Sequence, residues 1–182
     1  MGWTTPPTYA PGFANRMTSA IANAQLRDNM NYLYRSYARK TGNTSVTSST
    51  AFIDDPHLLL PLLANEVFAF EGFLLYTGLT AGDLKLAFTV PASATGGWGV
   101  LGADDVTTTN VEVSAFTAFG DANFVQVGAL GSGTFAGVFI QGTVVNSTTP
   151  GNLQLRWAQA ASSGTSTTIN ANSYLIGYRL AP

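Results

Sequence analysis

Two pairs of adjacent carboxylates are the side chains of this sequence best suited to acid–base chemistry, Asp54-Asp55 and Asp104-Asp105. Glycosidase-type hydrolysis needs two carboxylates on opposite sides of one bond. Neighbouring residues of a strand point to opposite faces, so neither pair can supply that arrangement by itself. Neither surrounding segment, DDPH or GADDVTTTN, has the EF-hand pattern of calcium ligands. We therefore expect both pairs to cap turns.

The single histidine, His57, follows Asp55-Pro56 in a chain without cysteine. With one imidazole, no thiol and no G-x-S-x-G motif, the sequence predicts neither nucleophilic catalysis nor a zinc site. We expect His57 to cap the entry to a strand. The glycine-rich segment Gly128–Gly137 lacks the Gly-Lys-Ser/Thr of a phosphate-binding loop and predicts a flexible hairpin. No catalytic residue, cofactor or metal ligand is predicted.

Trp98 lies in the segment GGWG, which predicts a turn with an anchored tryptophan. If it were exposed, its ring could stack on a sugar, which is the basis for a glycan-binding hypothesis. Packing in a core or an interface is the favoured interpretation.

Composition favours a protein that is packed into an assembly, although a secreted β-protein can look similar. Charged residues make up 10% of the 182 residues, against roughly 25% in an average soluble protein. Residues 1–50 carry five basic side chains and one acidic one, a net charge of +4, whereas residues 51–182 carry three and nine, a net charge of −6. Five cations spread among tyrosines are a weak nucleic-acid footprint, so an acidic protein surface is the expected partner of the basic segment.

Neither export nor a membrane span is predicted from the sequence. The start MGWTTPP lacks the basic and apolar regions of a signal peptide. The apolar runs, such as His57–Ala64, are too short to cross a bilayer. We expect a protein that is made in a cytoplasm and has no membrane partner.

Residues 1–16 are predicted to form an extended arm, because Pro6, Pro7 and Pro11 hold the backbone near polyproline geometry. The arm is too short for a core of its own. Its aromatic residues therefore need a partner surface, either on another protein or on the parent domain; they are Trp3, Tyr9 and Phe13.

Residues 17–41 predict an amphipathic helix that starts near Thr18 or Ser19 and stops before Gly42. Apolar residues recur at spacings of three and four, which places them on one stripe: Ala22, Leu26, Met30, Leu33 and Tyr37. The polar residues Arg27, Asp28, Asn31 and Arg35 fall on other faces of this helix. A lone helix of this kind must bury its stripe, on its own β-domain, on symmetry mates or on a host structure.

Residues 42–50 predict a polar linker, and residues 51–182 predict an antiparallel β-sandwich of jelly-roll type. Eight strands are expected, at 57–62, 66–76, 83–90, 111–118, 123–130, 133–145, 153–160 and 172–180. The run from Val67 to Tyr76 is almost continuously apolar, so we expect both of its faces to be covered.

The amino-terminal residues resemble a known group of proteins. Trp3-Thr4-Thr5-Pro6 and Leu26-Arg27-Asp28-Asn29 match the W-T-T-P and L-R-D-N positions of small virion structural proteins of tailed bacteriophages, especially those that infect actinobacteria. The segments from DDPHLLLPLL to ATGGW and from LQLRWAQAA to YLIGYRL resemble the β-domain of the same group. The resemblance covers most of the chain, while Pro7 and the run Ala10–Arg16 depart from the pattern.

This resemblance implies a homotrimeric, jelly-roll-like knob on an amino-terminal anchor. We expect a non-enzymatic virion protein whose partner is the major capsid protein, decorating the particle surface. The expected anchoring residues are Trp3, Tyr9, Phe13, Arg16, Leu26, Arg27, Met30, Leu33 and Tyr37. The alternative is a minor tail protein or small tail fibre that contacts other tail proteins and binds cell-surface glycans, with Trp98 as the contact residue.

Overall fold

A computed structural model describes residues 19–23, 26, 30, 35–107 and 109–181. One short helix, α1, spans Ser19–Ala22. The first six strands are β1 Ser36–Arg39, β2 Thr44–Val46, β3 Ile53–Leu62, β4 Val67–Gly78, β5 Leu84–Thr89 and β6 Thr95–Ala103. The remaining strands are β7 Val111–Phe116, β8 Val125–Val127, β9 Gly131–Val145, β10 Gly151–Gln159, β11 Thr167–Ile169 and β12 Tyr174–Ala181.

The described strands form two sheets, and every pairing between them is antiparallel. The large sheet has the order β1-β12-β4-β9-β6-β7, and β11 joins it by pairing with β2 and β4. The small sheet has the order β3-β10-β5-β8. The predicted fold class, a mainly β protein with an antiparallel sandwich, is confirmed.

The core lies between the two sheets and is filled by alternate residues of each strand. On β10, Leu153, Leu155 and Trp157 are fully buried, as strict alternation in the sequence predicts. They meet large apolar side chains of the facing sheet, such as Phe70 and Leu74 of β4. Each such side chain contributes roughly 1.5–3 kcal/mol of burial free energy, so this layer holds the sheets together.

The helix predicted over 17–41 is wrong at its carboxyl-terminal end, and the linker predicted over 42–50 is wrong in its first half, because both contain strands. Residues 36–39 are strand β1 and residues 44–46 are strand β2. Tyr37 is paired with Ile176 of β12 and is exposed, while Ala38 packs against the core. The spacing from Leu33 to Tyr37 fits a helix, but the alternation that the sandwich uses has a period of two.

Strand β6 was not predicted, because its glycines were interpreted as turn residues. Those glycines are needed where β7 approaches closely, since a Cβ added at Gly97 would lie 2.6 Å from the carbonyl oxygen of Phe116. The strand predicted over 133–145 is confirmed as β9, but the hairpin predicted over 128–137 is wrong, because in the described residues β8 pairs with β5 and β9 pairs with β4 and β6. In both places the backbone pairing of a long sheet outweighs the weak strand preference of glycine.

Candidate assembly surface

The outward side of the large sheet, which we call the apolar face, carries a row of hydrophobic side chains across five strands. Cross-strand pairing places Tyr174 beside Phe73, Phe73 beside Phe139, and Phe139 beside Leu101. Leu101 is paired in turn with Val113 of the edge strand β7. The rings of Phe73 and Phe139 pack with their centroids 5.0 Å apart. The row is therefore a continuous hydrophobic band from β12 to β7.

Many large hydrophobic residues of this face are exposed, each by between 37% and 74% of its surface. They are Tyr37, Leu101, Val111, Val113, Phe135, Phe139, Val145, Tyr174, Tyr178 and Leu180. Because one aromatic side chain has roughly 150–250 Å² of surface, the five aromatic members alone expose on the order of 500 Å². Summed over all ten residues, the exposed hydrophobic surface therefore exceeds the roughly 300–600 Å² of the largest single apolar patch on a typical monomer.

A narrower polar row crosses the centre of the apolar face. Glu71 is paired with Gln141, and Gln141 is paired with Gly99 of β6. Two open depressions, of about 650 and 630 Å³, lie on this side of the sheet and have Gln141 in common. Gly97 lines one depression and Gly99 the other. The face is thus uneven, with aromatic projections beside glycine-lined hollows.

The outward side of the small sheet has the opposite character. Arg156 pairs with Asp54 through Nε at 2.8 Å and with Asp121 through Nη1. The ammonium group of Lys85 lies 4.5 Å from the ring centroid of Phe52. Charged groups on this side are paired within the chain and remain partly exposed, which suits contact with water. The apolar face of the large sheet therefore suits contact with another protein, whereas the outward side of the small sheet suits contact with water.

The carboxylates of the two pairs have separate structural roles. Asp104 caps a turn by accepting the backbone N–H groups of Val106 and Thr107 at 2.8 and 2.7 Å, as predicted. Asp54 is exposed whereas Asp55 is buried, so the two members of that pair point apart. The ion pair that Asp55 makes with Lys40 was not predicted.

His57 lies inside β3 and not at its entry, because β3 already begins at Ile53. Its backbone N–H donates to Oδ1 of Asp55 at 2.9 Å, and its Nδ1 atom is buried without a hydrogen-bond partner. The expectation that His57 caps a strand entry is therefore wrong.

Trp98 lies in the core and is 3% exposed. Its ring stacks on Phe116 with a centroid distance of 4.8 Å and meets the ring of Phe88 edge-on at 5.1 Å. The favoured interpretation of this residue, core packing, is confirmed. The ring is not available to stack on a sugar, so the glycan contact suggested for Trp98 is wrong.

The predicted anchoring residues fall largely outside the described part of the chain: Trp3, Tyr9, Phe13, Arg16, Arg27 and Leu33. Leu26 and Met30 are described and exposed. Tyr37 belongs to the apolar face instead of a helix. Arg35, just before β1, has its guanidinium 5.7 Å from the ring centroid of Tyr178.

Sequence reasoning did not single out the apolar face. The available signal was the outward alternation of Phe135 and Phe139 on β9 and of Val111 and Val113 on β7.

Within the described residues, no group of three or more acidic or histidine side chains is placed to hold a metal ion. Among those same residues, no helix combines the length and the apolar character needed to cross a bilayer.

No family model matches the chain, and no curated protein matches it significantly. Among solved structures, the chain is similar to Eiger TNF from S. frugiperda, at 12% identity and a TM-score of 0.38, over 82% of this chain and 93% of that one. It is also similar to the tripod (BppUct-A-L) from the baseplate of bacteriophage Tuc2009, at 10% identity and a TM-score of 0.35, over 98% of this chain and 78% of that one. A third similarity is to the infectious bursal disease virus VP2 subviral particle, at 12% identity and a TM-score of 0.23, over 82% of this chain and 41% of that one. Likeness at these TM-scores supports no conclusion about function.

Proposed function

We propose that this chain is a non-enzymatic structural protein of a tailed-bacteriophage particle, made in the host cytoplasm and displayed on the capsid surface. In this proposal residues 1–35 dock on the major capsid protein, and the β-domain projects outward as part of a homotrimer. The apolar face is the observation that carries the proposal. The W-T-T-P and L-R-D-N matches in the amino-terminal segment support the assignment to a phage particle.

The apolar face supports self-association because its exposed hydrophobic surface is large and includes the continuous band from β12 to β7. Surfaces of this kind mark sites of protein–protein contact. The ion-paired side of the small sheet suits the solvent-facing side of such an assembly. The copies would therefore pack with their large sheets inward and their small sheets outward.

The position of β1 suits attachment through the segment that precedes it. Ser36 begins β1, which lies at an edge of the large sheet. Tyr37 and Arg35 lie beside the apolar face at this edge. A docked segment would thus hold the domain beside its subunit interface.

The test of this function is the composition of purified particles, measured by quantitative mass spectrometry against the major capsid protein. Hundreds of copies per particle are expected for capsid decoration. A handful would assign the protein to the tail, and absence from particles would refute the virion proposal altogether.

A truncation separates attachment from folding. Residues 36–182 retain β1 and Lys40, and this fragment is expected to fold and self-associate but not to join particles. A start at residue 41 is a poor test, because it removes β1 and leaves Asp55 buried without its cation. Normal incorporation of residues 36–182 would show that the amino-terminal segment is not the anchor.

A further inference from the structure

We propose that the buried ion pair between Lys40 and Asp55 sets the register of β1, and thereby fixes the point at Ser36 where the chain enters the β-domain. The register is a property of the fold alone. Its use in attachment rests on the function proposed above.

The pair lies in a fully enclosed polar cluster. Both side chains have no exposed surface, and Nζ of Lys40 lies 2.6 Å from Oδ2 of Asp55. Nζ also donates to Oγ1 of Thr44 at 2.8 Å, and Nε1 of Trp157 donates to Oδ2 of Asp55 at 3.2 Å. Asp55 Oδ1 accepts the backbone N–H of Leu58 at 3.1 Å and that of His57. The cluster thus joins the end of β1 to β2, β3 and β10.

Lys40 directly follows the strand that it fixes. Its backbone N–H donates to the carbonyl of Ser173 at 2.8 Å, and its own carbonyl accepts from the N–H of Asn172 at 3.0 Å. Strand β1 has four residues and, in the described part of the chain, pairs with β12 alone. A strand this short at a sheet edge has little pairing of its own to define its register.

Hydrophobic patterning alone leaves slips of two residues open. A one-residue slip of β1 is blocked, because it would turn Tyr37 and Arg39 toward the core. A two-residue slip toward the amino terminus keeps the alternation and brings Lys40 to the position of Ala38, opposite Leu175. At roughly 3.3 Å per residue, that slip carries the ammonium group about 7 Å away from Asp55. The ion pair therefore penalises the slip that the pattern allows.

This role accounts for a charged pair at a fully enclosed site. Lysine is almost never fully buried unless it is paired. A buried ion pair is often no more stabilising than well-packed hydrophobic residues, and fixing a register is the best-attested use of buried polar groups. Tension on a docked amino-terminal segment would pull β1 along β12, which is the displacement that the pair resists.

The test compares local with global opening. Amide hydrogen exchange is followed by mass spectrometry in peptides that cover β1 and β4, for the full-length protein and for the Lys40→Met/Asp55→Asn double variant. This variant removes both charges and keeps an oxygen for the N–H groups of His57 and Leu58. We expect exchange across β1 to accelerate at least tenfold more than exchange across β4. An equal change in both strands, or no change in β1, overturns the proposal.

A milder variant covers the case in which the double variant does not fold. Thr44→Val removes only one of the hydrogen bonds of the ammonium group. It is expected to loosen β1 selectively but to a smaller extent, and unchanged β1 exchange in this variant counts against the proposal. Exchange in the free protein does not depend on particles, so its outcome is independent of whether the capsid assignment is right.

Discussion

Replacing Phe139 with serine is the most direct test of self-association through the apolar face. Phe139 lies at the centre of the hydrophobic band and is 56% exposed. Taking a phenylalanine surface of roughly 200 Å², a neighbouring copy would cover about 110 Å² of this ring. At about 25 cal/mol per Å² the loss is about 3 kcal/mol per covered ring, which corresponds to roughly a hundredfold weaker dissociation constant.

The assay is sedimentation velocity over a range of protein concentrations. The wild-type protein is expected to be oligomeric at concentrations where Phe139→Ser has dissociated to monomers. Circular dichroism checks that the variant remains folded, since Phe139 also packs against Phe73.

Phe124→Ser supplies the matched control, because Phe124 is also a partly exposed ring, 37% exposed, in an aromatic pair, with Phe52. It lies by Lys85 on the polar side of the small sheet, so the oligomer should tolerate its loss. The reasoning is refuted if Phe139→Ser assembles as tightly as the wild type, or if both variants weaken assembly equally.

Three further substitutions, one of them with a matched control, test the packing that supports these surfaces. Burial, reinforced by the nearby Asp83 carboxylate, raises the pKa of Tyr76. The contribution of the neutral phenol to folding stability is therefore full below about pH 10 and is lost as pH rises toward the folded-state pKa. Tyr76→Phe should reduce this loss of stability at alkaline pH, measured by urea unfolding at a series of pH values. Burial likewise raises the pKa of Asp83. The ionised carboxylate therefore lowers folding stability at pH values above the ordinary aspartate pKa of about 3.9. Asp83→Asn should raise the urea midpoint of unfolding at neutral pH and change it less in acid. At Gly96, with φ of 136°, an added Cβ would lie 2.0 Å from the carbonyl oxygen of Thr143. Gly96→Ala should therefore lower the free energy of unfolding by at least about 1–3 kcal/mol. In the control Gly42→Ala no atom lies within 4 Å of the added Cβ, so the thermal midpoint should be nearly unchanged.

The sandwich was predictable because most of its strands alternate in sequence as they do in space. Leu153, Leu155 and Trp157 are the clearest case, since all three are buried as predicted. The junction at residues 36–46 was not predictable from local pattern. Arg39-Lys40 before Gly42 is typical of a helix end, and only tertiary structure brings Lys40 to Asp55, fifteen positions further along the chain.

The apolar face was harder to predict, because β9 is apolar on both sides. Val138 and Ile140 are buried in the core, while Phe139 between them is exposed. A sequence pattern shows that both sides of such a strand are hydrophobic, but it does not show which side meets the other sheet. Assigning Phe139 to the outward side required the pairing register of β9 with β4 and β6, which places Phe139 between Phe73 and Leu101.

Strand β4 connects the sequence pattern to the proposed assembly. Its almost continuous apolar run predicts cover on both faces, yet in the described part of the chain only alternate residues such as Phe70 and Leu74 are fully enclosed. The residues between them, including Phe73 and Leu75, are half-buried on the apolar face. The composition of β4 suits burial on both sides, whereas the described residues fully cover it on one side, and under the proposed function the second cover comes from a neighbouring protomer. A neighbouring large sheet would supply that cover, and loss of protection across β4 when Phe139→Ser dissociates the oligomer would be its signature in hydrogen exchange.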